Sequence, residues 1–371
     1  MKKLFILVFL ILVLPFQAVA QTPNPADPYS YQVSKATQKI SGADTDIYFP
    51  AQKNSTPYPV LLLLHGFQGN KDQLAQVSNH LASWGMFVVV PNLSFNLLSS
   101  DTSSQLQLAV NILNNIETES ANQNSVFSNA DKNKIGLAGH SAGGNIALQV
   151  ASSDPRIKAF VGLDAVIFGG PPWDTKQFWF PDKNGSSITA PTLLMQAPSQ
   201  SCNADGNKGV DIYDYLGSKN KAKIDIRNAS HCDFMDANAG CDIFCGSAND
   251  ARRTIVKKYL TAWFGYFLLN HTYLYDYLFV TQSQSDIQAN LIGMEFEVDK
   301  PAVVLTPTPS PIQQKKSGDA NNDNIVDGLD YVLWLNHYGK PTEKRESDGD
   351  FNFDGTVDGL DYVIWLNNYG R

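Results

Sequence analysis

One stretch constrains this chain more than any other: Lys134-Ile-Gly-Leu-Ala-Gly-His-Ser-Ala-Gly-Gly144. A short apolar run stops at Gly139, and from Asn145 the residues Ile146, Ala147, Leu148 and Val150 fall at helical spacing. The sequence thus predicts strand, sharp turn, helix, the context in which Gly-x-Ser-x-Gly has chemical meaning. Such a turn pushes the Ser141 hydroxyl out at the end of a sheet. The glycines are required because a side chain there would collide with the neighbouring strand and helix. The helix that follows offers free N–H groups and a partial positive charge to an anion forming beside the serine. A bare match to the pattern says little. The strand before it and the helix after it make Ser141 a candidate nucleophile.

The remaining pattern supplies a sheet for that turn. Tyr58 to Leu64 and Met86 to Val90 are continuous apolar runs of strand length, as expected of strands buried on both faces. Ile135–Ala138, Ile157–Leu163, Pro191–Met195 and Ala222–Ile226 read the same way, and Tyr31 to Pro50 holds one or two edge strands. Between them, Leu74, Val77, Leu81 and Trp84, then Leu106, Ala109, Val110, Leu113 and Ile116, mark helices. Thr254 to Leu269 closes the series as an amphipathic helix, and Asp286 to Val298 adds a last strand. The alternation predicts an α/β fold: a mostly parallel sheet with helices on both faces and a site beyond the carboxyl ends of its strands.

The first twenty of the 371 residues stand apart. Met1-Lys-Lys is positive, Leu4 to Phe16 is almost wholly apolar, and Ala18-Val19-Ala20 offers small residues for cleavage. This reads as a secretory signal peptide over residues 1–20, too short for a membrane anchor, so the mature protein is expected outside the cell with no transmembrane anchor. Export makes disulfides plausible for Cys202, Cys232, Cys241 and Cys245, whose three pairings stay open. No Cys/His spacing resembles a zinc site. The net charge of −8 is concentrated at the end, where Ser317–Arg371 carries eleven acidic against four basic residues. No basic patch argues for nucleic acid.

A serine needs a base, and the base needs an orienting acid. His140 sits inside the turn, where such a side chain is expected to point away from the site. His80 and His271 fall in helical patterns, and His337 in a repeat. His65 ends a strand and is a candidate for lining the substrate site. His231, in Asn228-Ala-Ser-His-Cys-Asp after a late strand, is the candidate base. Asp164 ends a strand between Ser141 and His231, matching the chain order Ser, Asp, His. Asp205 is its rival and Asp174 a remote third. The oxyanion donors are expected to be the N–H groups of Ala142, just after the nucleophile, and Phe67, in the loop after the first long buried strand.

Leu64-His-Gly-Phe67, His80-Leu-Ala-Ser-Trp-Gly85, Gly139–Gly144, Val161-Gly-Leu-Asp164 and the His231-Cys-Asp-Phe segment resemble the chlorophyllase branch of the α/β-hydrolases. That branch shades into dienelactone-hydrolase-like, acetylhydrolase and polyester-hydrolase (cutinase-like) enzymes. The resemblance covers roughly Tyr31 to Leu269 and implies the α/β-hydrolase fold within residues 21–300. It also implies hydrolysis of carboxylic esters without a catalytic cofactor. In the chlorophyllase pattern the acid follows the strand after the nucleophile helix, at Asp164. In the polyester hydrolases it lies one strand later, where this chain has no acid before Asp205. Those enzymes carry a Pro-Trp near the cleft, which Pro172-Trp173 resembles, so Trp173 is a candidate substrate contact. They also tie the acid and histidine loops together by a disulfide. By that resemblance Cys202 would pair with Cys232, leaving Cys241 with Cys245.

Pro301 to Lys316, with Thr-Pro-Thr-Pro-Ser-Pro inside, is an extended linker. Beyond it, Gly318–Gly339 returns nearly unchanged as Gly349–Gly370. Asp319, Asn321, Asp323, Asp327 and Asp330 stand at positions 1, 3, 5, 9 and 12 of an EF-hand-like loop, with the Ile325 carbonyl at 7. Asp350, Asn352, Asp354, Asp358 and Asp361 repeat this, with Thr356 at 7. Hard oxygens at these intervals suit two structural Ca²⁺ ions, which a merely solvated acidic tail would not predict. Paired loops, each followed by one helix, resemble a type I dockerin over residues 317–371, a small all-α module. That resemblance implies a cohesin-type partner on a scaffold or cell surface. The partner-reading pairs here are Gly328-Leu329 and Gly359-Leu360, and their identity would permit two binding orientations. The sequence therefore presents a secreted serine esterase with a dockerin, against the alternative of a non-catalytic surface-binding protein that keeps the hydrolase fold.

Overall fold

The computed structural model describes residues 22–95, 102–167, 185–200, 202–203, 208–236, 239–299, 316–321, 323, 325–342, 345–352 and 354–370. Contacts divide the chain into two units, the larger being Thr22–Lys300. Trp173, Asp174 and Asp205 lie outside the described residues.

The larger unit is built on one nine-stranded sheet in the order β1-β2-β4-β3-β5-β6-β7-β8-β9. Its strands are β1 (Val33–Ile40), β2 (Ala43–Pro50), β3 (Tyr58–Leu64), β4 (Phe87–Pro91), β5 (Ala130–His140), β6 (Ile157–Leu163), β7 (Thr192–Gln196), β8 (Lys221–Ile226) and β9 (Ile292–Glu297). From β4 through β8 every pairing is parallel, while β1, β2 and β9 run antiparallel to their neighbours at the edges. β3 shows why continuous apolar runs were needed. Leu61 and Leu63 enter the core on one face, and Val60, Leu62 and Leu64 the core on the other.

Helices cover both faces. α1 (Ala75–Ser83), α5 (Asp250–Phe267) and α6 (Leu274–Phe279) bury Leu81, Tyr259, Trp263, Phe264 and Leu278 on one side. α2 (Ser103–Glu119) and α3 (Ser141–Ser153) bury Ile112, Ile116, Ile146 and Leu148 on the other. The described residues of the unit also hold two short helices, α4 (Ala239–Cys245) and α7 (Gln282–Gln288). The segment read as one strand over Asp286–Val298 is therefore the end of α7 followed by β9. The chain leaves β3 for β4 on one side and returns to β5 on the other. That reversal opens a crevice at the carboxyl ends of the central strands. No helix among the described residues is long and apolar enough to cross a membrane.

The smaller unit holds α8 (Gly328–His337) and α9 (Gly359–Asn368), each opened by an aspartate capping box, Asp327 with Asp330 and Asp358 with Asp361. Its core is Ala320, Val326, Trp334, Phe351, Val357 and Trp365. The repeats grip each other reciprocally. Trp334 Nε1 donates to the Asp358 carbonyl at 2.9 Å, and Trp365 Nε1 to that of Asp327 at 2.8 Å.

Candidate active site

Ser141 sits where the ends of several strands approach one another closely. It follows β5 directly, opens α3, and sits at φ +56°, the left-handed region that a serine adopts only under constraint. The constraint is packing. A Cβ at Gly139 would meet the Gly143 carbonyl oxygen at 2.3 Å, and one at Gly143 would meet the His65 carbonyl oxygen at 2.3 Å. A Cβ at Gly144 would strike the Ala165 side chain at 2.5 Å. Three glycines thus let α3 start against the ends of β3, β5 and β6. The N–H of Ala142 lies in the first turn of α3, among the donors that a helix cannot satisfy internally.

The loop after β3 passes beside the serine. A Cβ at Gly66 would lie 2.9 Å from the Ser141 Cβ, so only glycine allows the approach. Phe67 comes next, 42% exposed, its ring 5.7 Å from that of Phe95. The sequence reading placed His65 among residues lining the substrate site; among the described residues its side chain is buried. It is 1% exposed, the Leu93 N–H donates to its Nε2 at 2.8 Å, and its Nδ1–H donates to the Gly66 carbonyl at 2.9 Å. Burial holds its pKa below the ordinary histidine value, which suits this single tautomer. With both ring nitrogens engaged by backbone, His65 is a strut for the loop.

His231 Nδ1 stands 2.5 Å from Asp164 Oδ2, and both residues are buried. Asp164 comes from the turn just after β6, at φ +42°, and its other oxygen accepts the Ala197 N–H at 3.0 Å. The Asp164 carbonyl accepts from Asn203 Nδ2 at 3.1 Å. The acid seen in contact with His231 among the described residues is thus the one at the end of β6. His231 opens a short 3₁₀ turn, His231–Phe234, which Asp233 locks in place. The buried Asp233 carboxylate accepts from the N–H groups of Ser230 at 2.8 Å and Asn249 at 2.7 Å, and pairs with Arg252 at 2.6 Å. The Gln200 side-chain oxygen accepts the His231 N–H at 3.1 Å.

His140 is the second histidine whose placement differs from expectation. Its ring faces the site, 4.5 Å from that of His231, with Nε2 donating to the His231 carbonyl at 3.0 Å. Of the other histidines, His80 lies in α1 and binds the Pro25 carbonyl at 3.0 Å, and His271 lies between α5 and α6. Gln200 and Asn203 carry no motif, and only the fold identifies them as neighbours of the site, while Asp233 stands in the His231-Cys-Asp-Phe segment, where the sequence reading gave it no role.

The disulfides differ from the pairing that the resemblance implied. Cys202 joins Cys245, and Cys232 joins Cys241. The reason is α4. It lies against the His231 turn and brings Cys241 to the neighbour of His231, leaving Cys245 for the loop after β7. The sulfurs of Cys232, Cys241 and Cys245 all lie within 4.8 Å of one another. Oxidised in this way they are not thiolate ligands for a metal.

A serine on a strained elbow, an imidazole with its Nδ1 held by a buried carboxylate, and a helix N-terminus directly after the serine together suit nucleophilic acyl transfer. A family model described as PET hydrolase-like matches residues 15–292, and one for the type I dockerin domain matches residues 317–369. Cutinase 1 of Thermobifida cellulosilytica is 27% identical over 263 residues, covering 67% of this chain and 87% of the relative. A cutinase of Thermobifida fusca is also 27% identical over 263 residues, covering 67% of this chain and 75% of its own. A bis(hydroxyethyl) terephthalate hydrolase of Streptomyces coelicolor is 24% identical over 249 residues, covering 66% and 69%.

Proposed function

The chain belongs to the PET hydrolase-like family and ends in a type I dockerin domain, and from that premise we propose that it is a secreted serine hydrolase of carboxylic esters, tethered through its dockerin. The observation that carries the reading is the 2.5 Å contact between Asp164 and His231 beside the Ser141 elbow. Ser141 Oγ attacks the ester carbonyl as His231 Nε2 takes its proton. Asp164 keeps the Nδ1 proton in place and stabilises the imidazolium that results. The N–H groups of Phe67 and Ala142 receive the negative oxygen of the tetrahedral intermediate, where charge develops only on the way to the transition state. His231 returns the proton to the leaving alcohol, and water repeats the sequence on the acyl-enzyme.

Because relatives are named cutinases and a bis(hydroxyethyl) terephthalate hydrolase, polyesters and terephthalate diesters are the substrates to test first. Cleavage of bis(hydroxyethyl) terephthalate and of a suspended aliphatic polyester, followed by product release, is the direct experiment. Wild type should release acid, and Asp164→Asn should fall by a factor on the order of 10³–10⁴ while staying folded, because the amide favours the wrong tautomer. An Asp164→Asn enzyme of wild-type rate would remove Asp164 from this role.

The dockerin fits Ca²⁺ by the chemistry of its donors. Asp319, Asp330, Asp350 and Asp361 turn their carboxylates inward and are at most 1% exposed. Loop N–H groups orient them: Asp330 accepts from Ala320, Asn321 and Asp327, and Asp361 from Phe351, Asn352 and Asp358. With Asn321, Asp323, Asp327 and the Ile325 carbonyl, and with Asn352, Asp354, Asp358 and the Thr356 carbonyl, they would hold one ion per repeat. The ion supplies the positive charge that balances buried acids and so contributes folding energy. A cohesin-type module is the proposed partner of this unit.

A further inference from the structure

The catalytic roles leave His140 unused, yet it is built into the centre of the site. It is the last residue of β5, 3% exposed, and precedes the nucleophile. A carbonyl oxygen only accepts, so the 3.0 Å contact to the His231 carbonyl puts the proton on His140 Nε2. Burial, then the nearness of His231, keeps its pKa well below the ordinary value, so Nδ1 carries no proton. Among the described residues that buried Nδ1 has no hydrogen-bond partner, and it lies 3.1 Å from the point a Gly66 Cβ would occupy. The ring therefore fills the space between the loop after β3 and the candidate base. His231 is then held at three points: its N–H by Gln200, its carbonyl by His140, and its Nδ1 by Asp164.

We propose that His140 is a positioning residue for the base. Its Nε2–H fixes the main chain of His231, and its ring is the wall on which the His231 imidazole rests, so that nucleophile, base and oxyanion loop share one support. The inference rests on the triad reading above. Asp164 holds the His231 ring at Nδ1 and Asp233 holds its turn, which leaves the face of the ring to be supported by His140, and a shift of about 1 Å between reacting groups costs about 10²-fold in rate. A histidine that stays uncharged at this place also does not oppose the positive charge His231 acquires during acyl transfer, only 4.5 Å away.

Two variants separate the donor from the ring. His140→Phe keeps an aromatic of similar size and removes the donor. His140→Gln returns an N–H near the same place. Steady-state hydrolysis of a p-nitrophenyl ester, with active sites counted by a fluorophosphonate, should show kcat of His140→Phe reduced about 10- to 100-fold and KM within about twofold. His140→Gln should regain much of the loss. A folded His140→Phe with wild-type kcat, or a His140→Gln no better than it, overturns the proposal. Should His140→Phe not fold, ¹⁵N-histidine NMR of the wild-type protein decides. An Nε2–H tautomer that stays neutral from pH 8 to pH 5 supports the role, and an Nδ1–H tautomer or a midpoint near the ordinary histidine value overturns it. Ser141→Ala distinguishes the two levels. An active Ser141→Ala sinks the triad itself, whereas an inactive one beside an unaffected His140→Phe sinks only the positioning role.

Discussion

Replacing Gly143 by alanine adds one methyl group where backbone already stands. Its Cβ would lie 2.3 Å from the His65 carbonyl oxygen and 2.6 Å from that of Leu64. Two effects of opposite sign compete. Gly143 lies inside α3 and has no positive φ, so alanine alone would favour the helix by about 1 kcal/mol. Against it stands an overlap of roughly 1 Å with main-chain atoms at the end of β3, which cannot rotate aside as a side chain would. Overpacking of this kind costs about 1–3 kcal/mol or more, and the upper end applies when backbone must move. The net expectation is a loss of about 2 kcal/mol, or about 4–8 °C in Tm for a domain of this size. Activity should suffer more, because the start of α3 carries both Ser141 and the Ala142 N–H, and displacing it about 1 Å predicts about 10²-fold lower kcat. Calorimetry and p-nitrophenyl ester kinetics read the two numbers. Gly265→Ala in α5 is the contrast: its Cβ would press on the movable Leu274 Cδ1, at 2.5 Å, with His271 Nδ1 next at 3.9 Å, so activity should stay at wild type. A Gly143→Ala protein with unchanged Tm and kcat would refute the steric account of the elbow.

Asp236 ties the His231 side of the site to α1, accepting the Gln76 N–H at 2.6 Å, and burial pushes its pKa up to about 6. A raised carboxyl pKa means that the folded state binds a proton the unfolded chain does not, so this group's contribution improves as pH falls from 7 through 6 toward 4. Asp236→Asn should therefore gain up to about 3 kcal/mol over wild type at pH 8 and nothing near pH 4 by urea denaturation, and a loss at pH 8 would contradict this. The chain-entropy model gives about 4 kcal/mol for the 43-residue separation closed by Cys202–Cys245 and about 3 kcal/mol for the 9 residues closed by Cys232–Cys241. Non-reducing peptide mapping should recover those two pairs, and Cys232→Ser with Cys241→Ser should lower kcat as well as Tm, since the bridge abuts His231. Chelation of Ca²⁺ should raise hydrogen exchange in peptides spanning α8 and α9 while leaving α1 to α3 and ester hydrolysis unchanged, and protection that survives chelation would remove the metal from the fold of that unit.

Much of the site is legible in the chain because its determinants are local. The elbow needs glycines at fixed offsets, and no other residue type fills them, so Gly139, Gly143 and Gly144 announce it. Strands buried on both faces must be apolar throughout, which made β3 and β4 plain. The order of Ser141, Asp164 and His231 followed from strand ends alone. What stayed hidden depends on distances between remote segments. Cysteine spacing does not encode a Cα separation of 5.4 or 5.8 Å, so the pairing required α4. α4 itself gives little signal: it is seven residues long, with Ile243 and Phe244 about three-quarters exposed, and disulfides hold it where an apolar stripe does not. α6 and α7 are too short for periodicity to register. The directions of the His65 and His140 rings depend on which backbone groups need partners, and only the assembled sheet supplies them.

The most direct measurement is intact-mass and peptide analysis after brief exposure to a fluorophosphonate, on wild type, Ser141→Ala and Asp164→Asn. The account predicts a single adduct on Ser141 in the wild-type protein, none in Ser141→Ala, and labelling slowed by orders of magnitude in Asp164→Asn, since only a serine with an oriented base reacts fast. A wild-type protein that is folded, carries both disulfides and takes no label, or one labelled at another residue, would contradict it.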